Sequence, residues 1–246
     1  MKALALNVLL FTAAAFAQQI PAGTVLPVQL SSSLNTQKSK SGQTIRARIM
    51  QDVPISAGKI IHAGATVEGR VLEVKPAANQ APAEITLQFD TLKSRHTSLP
   101  VTTNLRAIAS MMDVEDAEVP STGTDRGTPW AWVTRNLIGG EVAYGAGGPV
   151  ARGDQVVGQA LYGGVLVPLR AQPGSHCRGD IAGNTQPQAL WVFSSDACGV
   201  YGLDGIDVMH AGRTAPIGKI TLTSKLGDLK ISGGTGMLLR VISSSR

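Results

Sequence analysis

The chain has 246 residues, 43% of them hydrophobic, and a formal net charge of +5, which suits one large domain or two small ones. Its 22 lysines and arginines are scattered singly, and no run of them forms the footprint of a nucleic-acid-binding protein. Aromatic residues make up only 4% of the chain, which argues against carbohydrate binding, because sugar platforms need exposed Trp and Tyr.

The N-terminus has the pattern of a cleavable secretory signal. Met1-Lys2 is a positive start, residues 3–15 are apolar, and Ala15 and Ala17 provide the small residues of a cleavage site. The apolar stretch is shorter than the ~20 residues of a membrane-spanning helix, and no later segment approaches that length. We therefore predict that residues 1–17 are removed and that the mature protein is periplasmic or secreted.

Residues 18–106 form a predicted N-terminal β domain. Apolar and polar residues alternate there, as in half-buried strands, over Thr44–Met50, Thr66–Val74 and Glu84–Leu92. An earlier strand, Val25–Leu30, contains Pro27. This residue predicts an edge strand or a bulge, because proline has no N–H to donate to a neighbouring strand.

Residues 107–183 are rich in glycine and differ from both flanks. We expect long loops around a few short strands, or partial disorder, because an ordered glycine loses more backbone entropy than other residues. Val165–Leu169 is the clearest strand in this region. The acidic cluster at residues 113–118 indicates a short helix with a solvated face.

Strand patterns return in residues 184–246, which we expect to complete the N-terminal β domain. Ala189–Phe193 is a continuous apolar run and predicts a buried strand, and Ile217–Thr223 and Met237–Ile242 predict the last two. No segment keeps a 3.6-residue period. The predicted fold class is therefore all-β, a β-barrel or β-sandwich with a long glycine-rich loop region in the middle.

The glycine-rich region also holds the candidate binding surface. Arg-Gly-Asp occurs there twice, a tripeptide that adhesion ligands use on exposed loops but that glycine-rich turns between opposite charges also generate. Two tryptophans share one face of an extended segment, where they form a binding platform or pack a loop onto the core. The predicted surface comprises Trp130, Trp132, Arg152, Asp154, Arg178 and Asp180.

The two cysteines, Cys177 and Cys198, predict a disulfide, because an even pair in an exported chain is normally oxidised. A disulfide that closes a loop of about 20 residues, as this one would, stabilises a fold by ~3 kcal/mol in the chain-entropy model. The alternative is a catalytic thiol. Ser175–Gly179 is similar to the Ser-His-Gly-Cys-x-Arg signature of L,D-transpeptidases, which would make Cys177 a nucleophile activated by His176, although this chain lacks the intervening glycine.

We predict neither a metal site nor a cofactor. The four histidines share no ligand spacing. The acidic turns at residues 196–199 and 204–207 have oxygen ligands that suit calcium, but no complete calcium-binding loop is present, and turn formation explains them better. The sequence contains neither a nucleophile elbow nor a phosphate-binding glycine loop.

Four segments occur in an order that is familiar from one protein family: Ile20–Leu26, Ser41–Val53, Ile61–Arg70 and Ile85–Leu92. Over residues 20–95 the chain resembles the periplasmic β-barrel domain of TrbI-like scaffold proteins of conjugation and type IV secretion. Those scaffolds have a membrane helix and a Pro-rich linker before the barrel, where this chain has the predicted signal. With Ala189–Gly199 included, the pattern is more similar to a family of uncharacterised exported bacterial β-rich proteins. The resemblance implies a β-barrel or sandwich and an envelope setting.

The sequence therefore predicts an exported, non-enzymatic structural or binding protein of the bacterial cell envelope. Its expected partner is an envelope protein or a cell-wall component, with no nucleic acid and no transmembrane helix in the mature chain. Two alternatives stay open: a cell-wall enzyme that uses Cys177 and His176, and a subunit of a secretion scaffold.

Overall fold

The computed structural model describes residues 20–56, 58–78, 81–95, 97–120, 133–145, 147–171, 177 and 183–243. The described residues form β-strands and one α-helix, which confirms the predicted all-β class. The predicted signal peptide, residues 1–17, lies outside the described residues.

The strands follow one another in three groups, and the helix begins the second group. The first group is β1 (Val25–Leu30), β2 (Leu34–Asn35), β3 (Thr44–Ile49), β4 (Val53–Pro54), β5 (Ile60–Ile61), β6 (Thr66–Lys75), β7 (Ala83–Lys93), β8 (Ser98–Pro100) and β9 (Thr102–Ala109). The second group is α1 (Met111–Glu118), β10 (Thr134–Asn136), β11 (Val142–Tyr144), β12 (Pro149–Arg152), β13 (Gln155–Leu161), β14 (Gly164–Leu169) and β15 (Asn184–Ala189). The last group is β16 (Gly199–Tyr201), β17 (Ile206–Val208), β18 (Ile220–Ser224), β19 (Lys230–Ile231) and β20 (Gly236–Ser243).

Nine strands form a nearly closed, barrel-like sheet in the order β16-β9-β20-β1-β3-β6-β7-β18-β17, and β8 pairs with the far end of β7. The pairing is antiparallel, except that β16 runs parallel to β9. Alternate residues of the strands fill the interior, among them Leu26, Val28, Leu87 and Phe89, each 0% exposed. Strands from both ends of the chain therefore lie side by side, with β1 next to β20 and β7 next to β18.

The glycine-rich region supplies five strands of a second sheet, and β15 completes it as an antiparallel meander in the order β10-β11-β12-β13-β14-β15. Its strands are short, and the predicted strand Val165–Leu169 is confirmed within β14. Tight turns keep the meander compact. Gly153 and Gly163 have positive φ angles of 55° and 80° in the two-residue connections on either side of β13, a conformation that glycine adopts without strain.

Strand β1 separates two hydrophobic cores. Leu26 and Val28 point into the barrel, whereas Val25 packs with Val165 of the second sheet and with Trp191. Strands β9 and β20 contribute to both cores in the same way. The second sheet therefore covers the outer face of the barrel over β1, β9 and β20.

The prediction from Pro27 of an edge strand or a bulge is wrong, because β1 pairs with β20 on one side and with β3 on the other, and neither pairing has a register shift. Pairing with β3 covers only Val28–Leu30, and the Pro27 carbonyl accepts a hydrogen bond from Met50 N at 3.0 Å. An N–H at Pro27 would point to the same side as its carbonyl, towards β3, but β3 ends at Ile49, opposite Val28. The proline is tolerated in a central strand for that reason.

The buried strand predicted at Ala189–Phe193 is also wrong. Strand β15 ends at Ala189, and the next residues form a turn in which Phe193 N donates to Leu190 O at 2.9 Å. Trp191 has a positive φ of 54° and is only 2% exposed. A continuous apolar run shows that a segment is buried, but it does not show that the segment is extended.

The acidic cluster lies on α1, as predicted. Ser110 caps the helix, since its Oγ accepts a hydrogen bond from Asp113 N at 3.0 Å. Val114 and Ala117 face the second core, and burial raises the pKa of Asp113. Glu118 accepts a hydrogen bond from Trp191 Nε1 at 3.1 Å, which ties the helix to the buried turn.

Two buried glutamines join the layers in opposite directions. Gln51, between β3 and β4, accepts hydrogen bonds from Trp191 N at 2.7 Å and Val165 N at 3.2 Å, and it donates to Val165 O at 2.9 Å. Gln188 of β15 reaches back, and its Oε1 accepts from Val25 N at 3.1 Å. A Cβ at Gly164 would lie 2.1 Å from Gln51 Oε1, so a glycine is needed there.

We predict that Gln51→Leu lowers the free energy of unfolding by about 2 kcal/mol or more, because it leaves the buried N–H groups of Trp191 and Val165 without an acceptor at about 1–3 kcal/mol each. Urea denaturation of the purified protein measures this loss. Gln159→Leu, at an exposed position of β13, is the matched control and should change stability by about 0.5 kcal/mol or less. Equal stability of the two variants would contradict the proposed role of Gln51.

Candidate functional site

A groove of about 760 Å³ lies beside the hairpin of β7 and β8. One wall is β5 with the turn that leads into β6, and the other is the end of β7 with the turn and strand that follow it. The floor is apolar, since Ile61 and Leu92 are 6% and 3% exposed. Ile60 stands at the mouth with 45% of its surface exposed.

Local contacts fix the first wall of this groove. Gly64 has a φ of +88°, which the turn between β5 and β6 requires, and its N–H donates to Ile49 O at 2.8 Å. The Asp52 carboxylate accepts a hydrogen bond from Ala63 N at 2.7 Å and lies 3.4 Å from Nδ1 of His62. The turn is therefore held on both sides before any ligand binds.

Two strands that line the groove have an unpaired edge. Within the described part of the chain, β5 pairs only with β4, and β8 pairs only with β7. An unpaired strand edge presents backbone N–H and C=O groups that an extended chain can pair with. The groove thus combines apolar side chains with backbone hydrogen-bonding groups.

The rim of the groove carries positive charge. Lys93 forms an ion pair with Glu68, which also accepts a hydrogen bond from Arg46 Nε at 2.9 Å. Hydrogen bonds from Lys93 and Arg46 lower the pKa of Glu68, so this carboxylate stays ionised and neutralises part of their charge. Arg95, in the turn after β7, is exposed and forms no ion pair with the residues that the structure describes. It is the charge best placed to meet an anionic group of a ligand.

A second polar cluster is buried under residues 194–198. Glu141 is fully buried and accepts hydrogen bonds from the backbone N–H and the hydroxyl of Ser195, at 2.8 Å for the N–H. Arg152 lies 3.4 Å from Glu141 Oε1 and forms an ion pair with Asp196. Burial lowers the pKa of Arg152, but its hydrogen bond to Asp196 and the charges of Asp196 and Glu141 outweigh this and raise it. The cluster holds the segment that leads to Cys198.

The predicted disulfide is confirmed. Cys177 and Cys198 are bonded, with their Cα atoms 5.0 Å apart. Because the sulfur of Cys177 is part of this bond, it has no thiolate to act as a nucleophile in the oxidised protein. His176, the base in the alternative enzymatic hypothesis, lies outside the described residues.

The predicted binding surface is only partly within the described residues. Arg152 lies at the end of β12, where its guanidinium turns inward to Glu141 and Asp196. Asp154 is exposed in the turn between β12 and β13. Trp130, Trp132, Arg178 and Asp180 lie outside the described residues, so this surface stays a prediction.

Sequence analysis missed the groove, because its walls come from residues 60–66 and from residues 92–95, 97 and 99, and both segments look like ordinary strand ends. The one signal in the sequence was the basic cluster Lys93, Arg95 and His96 at a predicted hairpin. Sequence analysis also missed Glu141. This residue is a lone carboxylate in a glycine-rich stretch, and only the fold shows that it is buried.

Among the residues that the structure describes, no three His, Cys, Asp or Glu side chains group in a way that could hold a metal ion. No helix in the same part of the chain is long and apolar enough to cross a membrane.

Comparison with known proteins does not assign the chain to a family. No protein-family model matches the chain, and a search of curated proteins gave no significant match. The resemblance to TrbI-like scaffolds and to exported β-rich proteins stays a prediction. Function has to be inferred from the geometry of the groove.

Proposed function

We propose that this is an exported, non-enzymatic binding protein of the bacterial cell envelope, which holds an extended segment of a partner protein in the groove beside the hairpin of β7 and β8. One observation carries the proposal. Two strands with unpaired edges line a single groove that has an apolar floor and a basic rim.

The size and the lining of the groove suit an extended peptide. A volume of about 760 Å³ lies within the usual range of ligand sites. A peptide that pairs with β5 or β8 points alternate side chains to opposite sides. Every second side chain would then lie on the floor formed by Ile61, Leu92 and Leu99, and the intervening ones would lie near Arg95. The expected ligand alternates apolar and acidic residues.

Export is supported by two independent features. The N-terminal sequence has a charged start, an apolar stretch and an Ala-x-Ala cleavage pattern. The disulfide between Cys177 and Cys198 belongs to an oxidising compartment, since cytosolic thiols are kept reduced. The same disulfide weighs against the cell-wall enzyme, because that mechanism needs Cys177 as a free thiolate.

We predict that random peptides selected on the immobilised protein from a phage library alternate apolar and acidic residues. Fluorescence polarisation of the selected peptides should show binding that weakens about tenfold or more in Ile60→Asp and in Arg95→Glu, because each variant places a negative charge beside the acidic ligand.

Two matched variants control this experiment. Ile217→Asp introduces the same charge at an isoleucine that is 64% exposed and lies outside the groove, and Lys225→Glu reverses the charge of an exposed lysine just after β18, also outside the groove. Both should bind the selected peptides as the wild type does. Peptides without acidic residues, or peptides that bind all four variants equally, would refute the groove as the binding site.

We also predict that the full-length chain, expressed in a bacterial host, is recovered outside the cytoplasm with Gln18 as its first residue, as N-terminal sequencing would show. Ala17→Arg removes the small residue at the cleavage site and should leave the signal attached. Ala77→Arg makes the same substitution at an exposed residue far from that site and should be processed as the wild type is. Recovery of the wild type from the cytoplasm with Met1 retained would contradict export.

A further inference from the structure

Two arginines at the junction of the barrel and the second sheet have buried N–H groups without acceptors. Among the residues that the structure describes, Nη1 of Arg106 has no hydrogen-bond partner, and neither do Nε and Nη1 of Arg240. Arg106 is 1% exposed, and Arg240 is half-buried. Buried polar groups in native proteins are normally paired, so three such nitrogens in two neighbouring cations require a physical explanation.

Strand register places both side chains in the same inter-sheet space. Arg240 of β20 is the register partner of Asn104, and Arg106 follows two residues later on β9, at a bulge. Leu239 and Val241, the neighbours of Arg240 in the chain, belong to the barrel core, so Arg240 points outward to the second sheet.

The second sheet closes this space from the other side. Arg106 donates to Arg170 O at 3.1 Å, directly after β14, and Leu169 pairs with Asn184, the first residue of β15. A Cβ at Gly23 would lie 3.9 Å from both Nη2 of Arg240 and Nδ2 of Asn184. Both arginines therefore lie at the same end of the β14–β15 pair.

The acceptors of the hydrogen bonds from Arg106 are neutral backbone carbonyls, which do not balance its positive charge. Its Nε donates to Ala197 O at 3.0 Å, and its Nη2 donates to Arg170 O and to Ser195 O at 3.2 Å. Burial, followed by the positive charge of Arg240, lowers the pKa of Arg106 to about 10, although the charges of Asp196 and Tyr201 act in the opposite direction. Burial also lowers the pKa of Arg240, and no carboxylate among the described residues forms an ion pair with it.

We propose that the space between Arg106 and Arg240 is a binding site for a small oxyanion, in which the oxygens of a phosphate, sulfate or carboxylate group accept hydrogen bonds from the three unpaired nitrogens. Two guanidinium groups with free N–H donors match the oxygens of such an anion in both charge and geometry. The site is separate from the groove and does not depend on the proposed function.

The test is a titration of the full chain, purified and dialysed free of multivalent anions, with inorganic phosphate, sulfate and acetate in separate arms. Isothermal titration calorimetry should show saturable binding to one site for at least one of them, and the relative affinities identify the class of anion. Arg240→Gln should weaken binding about tenfold or more, because it removes a charge-assisted interaction. Arg48→Gln makes the same change of net charge at an exposed position and should leave the affinity unchanged.

A second measurement keeps the test valid if Arg240→Gln does not fold. In the wild type, the arginine Nε–H resonance of Arg240 should shift during the titration and saturate together with the calorimetric signal. Absence of binding by all three anions, an unshifted Arg240 resonance, or equal affinity of folded Arg240→Gln and wild type would overturn the proposal. Water would then be the partner of these nitrogens.

Discussion

Burial of three barrel strands on both faces is the constraint on which the rest of the structure depends. Strands β1, β9 and β20 send alternate side chains into the barrel core and into the core beneath the second sheet. Where regular pairing ends, buried backbone groups would lack partners, and long polar side chains supply them. Gln51 and Gln188 do so in opposite directions across the layers, and Arg106 does so for three carbonyls near the disulfide. Apolar burial holds the layers together, and these side chains fix their register.

The same arrangement separates the surfaces available for binding. The second sheet covers β1, β9 and β20, whereas the groove is lined by residues 60–66, 92–95, 97 and 99 in the first group of strands. A ligand in the groove would pair with strand edges that neither the barrel nor the second sheet uses. Arg106 and Arg240, whose guanidinium groups have N–H donors without acceptors, lie instead at the junction of the layers. An anion bound there would therefore also stabilise the packing of the two layers.

Sequence predicted those parts of the fold in which one side of a strand is solvated. Strands β3, β6 and β7 alternate visibly, because their outer faces carry charged residues such as Arg46 and Glu68. Where both sides are buried, the strands Val25–Leu30 and Met237–Ile242 were still predicted, but two details were wrong. The run Ala189–Phe193 has no period from which a turn could be distinguished from a strand, and Pro27 does not reveal where a neighbouring strand ends. The disulfide followed from the predicted export and the cysteine count, but the groove joins distant segments and could not be predicted from local pattern.

Native-state hydrogen exchange tests the central claim most directly, namely that the two layers form one cooperative unit through the shared strands. If so, the amides of Val167 in β14 and of Val28 in β1 should exchange with the same free energy, equal to that of global unfolding. Exchange at Val167 through a lower-energy opening that leaves Val28 protected would contradict this claim, because the second sheet would then unfold while the barrel stays intact.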